Sequence, residues 1–516
     1  MIQSLALALL GLVVGFIALI LTKDLIWLLK SFKYFKQDIP VKYFPFIGFA
    51  KYLENPAKEE GIEDFCQLFQ KADDKSKSEK ILMMNGTTTR PVVFLNDKDL
   101  IKEFFQKETK VCYTSNLLNF PTDRATIFSP DQEKVLRDNA TFKELFFPEN
   151  LRRRTPGIRA IAQRHFNRIK AEMKKSGAKN KDRRLEAEIE LRPYMKDLFN
   201  DMVSYVIFGG EIPELEGAPL ANLIDKVAEG FFKNYSSPLH IATLGLSTRL
   251  GLDFEYNQVK KLFRRIINKV KEVIIERENE KDREFGCNVI DLMIQKNRER
   301  EAQGQNDPFD YEEIAQGVFG MVFAGTGTTR SLTEASIYKL STEPELQKQF
   351  REIARNQVLD TGNGEDYDKY ENCAPLAAFM KEALRVIGPT GFGFQRLVLK
   401  NFKLGGKYTI GRGDVVLIPI GPLMLKPEFF KDGNKFDLKK YEEKRRISEL
   451  SKSVLIPFSA GKRSCLGRNL ASITFKLILS NFLDQFELSK SAEPNRRFIQ
   501  LAVGMKHCKV NLSCLE

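Results

Sequence analysis

The chain opens with an unbroken hydrophobic block. Leu5 to Leu21, LALALLGLVVGFIALIL, is apolar throughout, and no charged side chain stands between Met1 and Thr22. A helix rising about 1.5 Å per residue covers the hydrocarbon thickness of a bilayer over Ile2–Leu21. Lys23, Lys30, Lys33, Lys36 and Lys42 follow against only Asp24 and Asp38, which places the downstream chain on the cytoplasmic side. A cleaved signal would carry a basic start and a small-residue cleavage site, and this segment has neither. The pattern predicts an uncleaved single-pass anchor over residues 1–22.

DIPVKYFPFIG then brings Pro40, Pro45 and Gly48 together, a stiff non-helical connector inside a basic, proline-containing linker over residues 23–50. Past it, apolar residues recur at three- and four-residue steps. IEDFCQLFQKA, DKDLIKEFFQK, DFEYNQVKKLFRRIINKVKEVIIERENE and PELQKQFREIARNQ all predict amphipathic helices. An apolar run predicts a long helix from Tyr311 to Leu340, and RRLEAEIELRPYMKD reads as a helical segment with a mixed charged face. Strand-like runs are fewer: KILMMNG with RPVVFLN, then YTIGRGDVVLIPI, then RFIQLAVG with CKVNLSCL. Breaks at Glu301–Asp310 and Asp360–Asp368 are too short for linkers, and no repeat is visible. Residues 51–516 thus read as one mainly α domain with small β-sheets.

Charge and composition narrow the partners. The net charge of +13 admits nucleic acid, an anionic membrane or an acidic protein. The basic residues are interleaved with acids and no nucleic-acid motif accompanies them, so nucleic acid is not expected. His165, His240 and His507 lie far apart and the seven cysteines show no framework spacing, which disfavours both a zinc cage and disulfides.

One cysteine stands apart. In PFSAGKRSCLGRNLA, Pro457 to Ala471, Cys465 sits between Gly461 and Gly467 and between Arg463 and Arg468. Helical spacing begins directly behind it, at Leu466, Leu470, Ile473 and Leu477. Helix N-terminal N–H groups would draw such a sulfur toward thiolate. The glycines would let the backbone turn and a flat ligand approach. These residues allow either a structural cysteine beside a helix cap or a thiol used for chemistry. The order Phe-x-x-Gly-x-Arg-x-Cys-x-Gly, met from Phe458 to Gly467, resembles the haem-binding loop of the cytochrome P-450 superfamily. That resemblance implies a fold with a long central helix over haem b. It makes Cys465 the axial thiolate of the haem iron, sets Phe458 near the sulfur and pairs Arg463 with a propionate.

Further segments match in order. Glu382 and Arg385 in AFMKEALRVIGP resemble the family's buried Glu-x-x-Arg lock. Its third partner falls in FDLKKY, where Leu438 replaces proline and Lys440 replaces arginine, keeping the charge without the planar fork. MVFAGTGTTRSLTEASIYKL resembles the central helix: Ala324, Gly325, Thr328 and Thr329 match, while Gly327 stands at the usual acidic position. The glycines imply a distortion that opens a groove for oxygen, with Met321, Ala324 and Thr328 on the face toward the haem. Thr328 would hydrogen-bond the oxygen under activation and help deliver protons. Arg396 in GFQRLVLKN, and Arg137 in QEKVLRDNATF where Glu133 replaces tryptophan, are further candidate propionate partners.

The resemblance implies a haem-thiolate monooxygenase of the membrane-anchored microsomal type. Its catalytic domain would lie on the cytoplasmic face of the endoplasmic reticulum and insert one atom of O2 into a hydrophobic substrate. The chain carries no Gly-x-Gly-x-x-Gly flavin or nucleotide unit, so electrons are expected from NADPH through NADPH-cytochrome P-450 reductase, with cytochrome b5 as a second candidate donor. Gly327 keeps open the alternative of a haem-thiolate isomerase or peroxide-rearranging enzyme that needs no reductase. The substrate pocket would draw on the loop after Lys107, on Phe319, Met321 and Phe323, and on Gly388–Phe394. The apolar connection Ser236–Phe254 would admit lipophilic substrate from the membrane.

Overall fold

Three- and four-residue apolar spacing folds as helix along most of this chain. The computed structural model describes residues 2–37, 39–43, 80–85, 89–107, 124–127, 129, 131–176, 178–179, 184–210, 213–235, 237, 240, 243, 245–280, 288–305, 308–359, 366–390, 393–493, 497–499 and 503–515. Amphipathic stripes become the helices Lys98–Gln106, Phe254–Asn279 and Pro344–Ile353. Asp97 and Asp253 cap the first two by accepting backbone N–H bonds. The apolar run from Tyr311 becomes a 31-residue central helix, Tyr311–Ser341, capped by Asp310. The segments IEDFCQLFQKA and the loop after Lys107 lie outside the described residues.

Around the central helix pack Arg192–Phe208, Phe254–Asn279 and the C-terminal helix Arg468–Gln485. Aromatic residues seal these contacts: Phe263 meets Phe319 edge-on at 4.9 Å, and Phe166 meets Phe482 at 5.4 Å. Two larger sheets and three two-stranded ones flank the helices among the described residues. One has strand order Val41–Lys42, Ile81–Asn85, Pro91–Leu95, Val415–Ile418, Phe394–Leu397, with Val415 facing Val92 in parallel and Val416 facing Arg396 antiparallel. The second has order Phe486–Lys490, Lys509–Cys514, Leu185–Glu190, Ala178–Lys179.

The expected helical segment RRLEAEIELRPYMKD is therefore half strand. Ala187 and Ile189 point inward while Glu186 and Glu188 point outward, a period of two rather than 3.6. Leu512 and Ser513 of the C-terminal strand pair with Ala187 and Glu186. The helix begins only at Arg192, with Pro193 in its first turn.

The N-terminal helix runs Ile2–Phe35, 34 residues, well past the expected anchor boundary at Thr22. Its first half presents Leu10, Val13, Val14, Ile17, Leu19 and Leu21 outward. Among the described residues no helix is long and apolar enough to cross a membrane. Its second half docks on the first sheet, burying Trp27 and Tyr34. Asp414 is the anchor of this dock: it accepts from the Tyr34 hydroxyl, from Lys33 at 2.6 Å and from the Gly411 amide at 2.9 Å. Burial first, and then the Asp414 charge, hold the Tyr34 hydroxyl protonated far above its ordinary range.

Asp414→Ala strands the buried Tyr34 hydroxyl and Gly411 amide. It should lower unfolding free energy by about 2–3 kcal/mol, less than a fully buried pair would cost because Lys33 is partly solvated. Urea denaturation of the full chain measures this. A loss under about 0.5 kcal/mol would show that Trp27 packing alone holds the helix.

Candidate functional site

The middle of the central helix, the loop Pro457–Gly467, the strand Phe394–Leu397 and the segment near Thr126 all line one cavity of about 530 Å³. That size suits a bound organic ligand. Cys465 opens onto this cavity, which makes its sulfur accessible although it lies deep in the molecule.

The cysteine loop is closed by its own backbone. The Cys465 amide donates to the Phe458 carbonyl at 2.9 Å, and Ser459 donates from its amide to Ile456 at 2.9 Å. Ser459 and Gly461 both take left-handed backbone angles, φ 62° and 70°. Only Gly461 adopts that freely, and a Cβ there would stand 3.3 Å from the Phe105 ring. Gly461 shapes the loop but does not line the cavity. Gly467 has φ −80° and ψ 9°, angles open to any residue, so sharp turning is not what its glycine supplies. A Cβ at Gly467 would lie 4.0 Å from the Cys465 sulfur, and its absence keeps the space beside the sulfur clear.

Burial pushes the Cys465 thiol above its ordinary value, while the Gly467 amide, the Arg468 charge and the Arg468 amide pull it down. The expected drift toward thiolate is outweighed by desolvation; a coordinated metal ion would reverse that balance, since a coordinating thiol is deprotonated outright. Arg468, not Arg463, is the nearby cation, and its guanidinium lies 5.5 Å over the Phe458 ring.

Arg463 instead reaches back to the carbonyls of Thr126 and Ser129, at 3.1 and 2.8 Å. Arg396 is buried and donates to the Ser459 hydroxyl at 2.9 Å and the Gln395 carbonyl at 3.0 Å. Burial lowers Arg396 to about 10, helped by the charge of Arg463. Burial likewise lowers Arg463 to about 10, opposed by Asp131 and Asp138. Two desolvated guanidiniums on one cavity wall make a site for anionic oxygens.

Arg137 takes no part in this wall. It pairs with Asp138 and Glu313 and lies 4.5 Å over the Phe309 ring, outside the cavity lining. Glu313, at the start of the central helix, holds it away from the position expected for a propionate partner.

Along the central helix, Met321, Ala324, Gly325, Gly327 and Thr328 all line the cavity. The expected distortion takes a milder form. The helix is continuous, and side-chain hydroxyls share its carbonyls: Thr326 donates to Val322, Thr328 to Ala324 and Ser331 to Gly327, at 3.1, 2.9 and 2.8 Å. The open space comes from Gly327, where a Cβ would meet nothing within 4 Å. Phe319, expected in the pocket, is packed against Phe263 in the core instead.

Behind the loop, Glu382 and Arg385 show no exposed side-chain surface and pair through two 2.7 Å bonds. Arg385 also donates to the carbonyls of Met424, Gly433 and Lys435. Glu382 accepts from the Asp437 amide at 2.8 Å and the Tyr441 hydroxyl at 3.1 Å. Lys440 stays 3.8 Å away and donates to the Lys435 carbonyl at 3.0 Å. Tyr441 was not anticipated as a partner. Its place at the aromatic end of FDLKKY was the available signal.

The family model for cytochrome P450 matches residues 42–512. The chain belongs to the cytochrome P450 family. Cytochrome P450 3A15 of Cavia porcellus is 22% identical over 405 residues, covering 77% of this chain and 76% of the relative. Cytochrome P450 3A5 of Homo sapiens is 23% identical over 413 residues, 78% of each. The crystal structure of the cytochrome P450DA heme domain matches the fold with a TM-score of 0.72 at 18% identity, over 93% of this chain and 98% of that one. As a P450 the chain is a monooxygenase, an oxidoreductase that incorporates molecular oxygen, and its cofactor is haem b held through a cysteine thiolate. The cavity fits that cofactor: a thiol sulfur, one buried and one half-buried guanidinium for two carboxylates, and no Cβ at Gly467 beside the sulfur.

In this P450, Arg385→Ala should cost about 3–5 kcal/mol and strip haem from the purified protein, because it leaves the Glu382 charge buried and bare. Tyr441→Phe and Lys440→Ala should each cost about 1–2 kcal/mol and keep haem. Denaturation midpoints with haem-to-protein ratios measure both effects, and a Lys440 loss equal to that of Arg385 would contradict this ranking.

Proposed function

We propose that Cys465 would hold the haem iron through its sulfur and that Arg396 and Arg463 would bind the haem carboxylates. The observation that carries this is the meeting, on one cavity, of the Cys465 sulfur, the Arg396 and Arg463 guanidiniums and the Thr328 hydroxyl. Bound haem supplies the activation of O2 by which one oxygen atom enters the substrate and the other leaves as water.

The chain's residues do the rest. Phe458 and the Gly461 turn hold the sulfur in place, with the Glu382–Arg385 lock behind them. Thr328 donates its proton to the Ala324 carbonyl, leaving its oxygen to accept a hydrogen bond from water in the cavity. Met321, Phe323, Val203 and Phe142 exclude solvent, and that lining selects a hydrophobic substrate. Electrons come from NADPH through a separate NADPH-cytochrome P450 reductase, with cytochrome b5 as a further donor. The outward Leu10, Val13, Val14, Ile17 and Leu21 favour membrane attachment through the N-terminal helix at the endoplasmic reticulum, catalytic domain in the cytosol. Leu246, Leu250, Leu252 and Phe254 are also exposed and form a second apolar contact with that surface.

Reduction under carbon monoxide tests the ligand and the electron source together. A red-shifted thiolate Soret band should form both with dithionite and with NADPH plus reductase, and Cys465→Ser should abolish it while leaving the protein folded. An unchanged band in that variant overturns the ligand assignment. A band with dithionite alone would favour the isomerase reading, which Gly327 motivates. Separately, removal of residues 2–22 should move the protein from the membrane to the soluble fraction with haem content intact. Retention on membranes would assign attachment to another surface.

A further inference from the structure

Glu334 lies on the central helix seven residues beyond Gly327, about two helical turns and only about 20° off the same stripe. The two flank Ser331, whose hydroxyl donates to the Gly327 carbonyl at 2.8 Å. Gly327, Thr328, Arg330, Ser331 and Glu334 all line the one cavity. Glu334 is 1% exposed, and its Oε1 makes no hydrogen bond with the described residues. The nearest cation, Arg330 Nε, is 3.7 Å away, too far for a direct bond, and that nitrogen makes none either. A buried carboxyl oxygen without a partner is costly unless water or a proton satisfies it.

The monooxygenase reaction sets a demand on that cavity. RH, O2, two electrons and two protons become ROH and water, so two protons must reach a largely apolar space in each cycle. Water can occupy the open space beside Gly327 only if polar groups receive it, and Ser331, Thr328 and Glu334 are such groups. On its other side Glu334 approaches the surface. Cys508 lies against its backbone carbonyl at 3.6 Å, and the Cys508 amide is bonded to Glu190. The second oxygen of Glu190 lies 3.5 Å from His507, whose side chain is 53% exposed.

We propose that Glu334 is the proton-carrying carboxyl of this P450, serving Thr328 through Ser331 and water beside Gly327 in place of the acid that position 327 lacks. This rests on the reading of Thr328 and the haem-thiolate site given above. A proton leaving Glu334 Oε1 is replaced from solvent along the Glu190–His507 edge, and the carboxyl ends each cycle as it began. The electrons are those the monooxygenase already consumes.

The groups facing Glu334 are Arg330 on its own helix, Arg192 at the start of the neighbouring helix, and Glu190 with Cys508 on the adjoining strands. Burial raises the Glu334 carboxyl to about 7, with Arg330 and Arg192 lowering it and Glu190 raising it. A carboxyl at that level is protonated below neutrality and ionised above it, where general acids work best at neutral pH.

The test uses the holoenzyme with its reductase, as wild type, Glu334→Gln, and Glu334→Gln combined with Gly327→Asp. Difference infrared spectra across neutral pH should show a protonated-carboxyl band that shifts in D2O, fades above about pH 7 and is absent from Glu334→Gln. The fraction of NADPH electrons recovered as hydrogen peroxide should rise with pH in the wild type. In Glu334→Gln it should be high and flat, on the order of tenfold above wild type at low pH. Adding Gly327→Asp, which has room for its side chain, should lower it again. A band that survives in Glu334→Gln, or a peroxide fraction that does not change, overturns the proposal. Leakage that Gly327→Asp fails to reduce would assign Glu334 to packing. A wild type lacking the red-shifted carbon monoxide band would instead overturn the thiolate reading, whatever the carboxyl does.

Discussion

Glu382 and Arg385 have left water entirely, and a buried ion pair recovers its desolvation only when every remaining donor and acceptor finds a partner. Here the partners are backbone groups of Met424, Gly433, Lys435 and Asp437, with the Tyr441 hydroxyl. Those groups belong to an irregular stretch that no sheet or long helix would otherwise hold. Satisfying the pair therefore fixes the path of the chain from Met424 to Tyr441, and so the direction from which the cysteine loop arrives. Lysine at position 440 is tolerated because the fork is not needed there: the tyrosine next to it completes the carboxylate.

The same accounting explains the cavity. Its walls are mostly apolar, and a few of its polar groups bear on function. Arg396 and Arg463 are braced by Ser459 and by carbonyls near Thr126. Thr328 is tied to its own helix. Glu334 and Arg330 leave polar atoms without hydrogen bonds among the described residues. A protein interior leaves such atoms where water or chemistry visits.

Much of this was legible in the sequence wherever spacing carries direction. Helical periodicity located the central helix to within a residue of its end, and the order of motifs brought Cys465, Arg396, Arg463 and Thr328 to one cavity. What spacing does not carry is where a long side chain goes. Arg137 sits at the anticipated place on its helix and turns to Glu313 instead. Leu185–Glu190 alternates apolar and acidic residues within a charge-rich stretch, so its period of two is masked by a helix-like spread of charge. Of the two roles the sequence allows Gly467, turning and leaving room for a ligand, its ordinary backbone angles leave only the second. Nothing in the spacing marks Glu334, because burial of a charged residue depends on neighbours, Glu190 and Arg192, far away in sequence.

The dock of the N-terminal helix has a kinetic consequence. Lys33 and Asp414 are separated by 381 residues, so the first helix made is among the last to find its place. At ribosomal rates of about 5–20 residues per second, that interval lasts on the order of 20–80 s. Trp27 can meet Tyr43 and the early strands Ile81–Asn85 and Pro91–Leu95 within the first hundred residues, whereas Tyr34 waits for Asp414. Closure of that long loop is the slow contact that completes the dock.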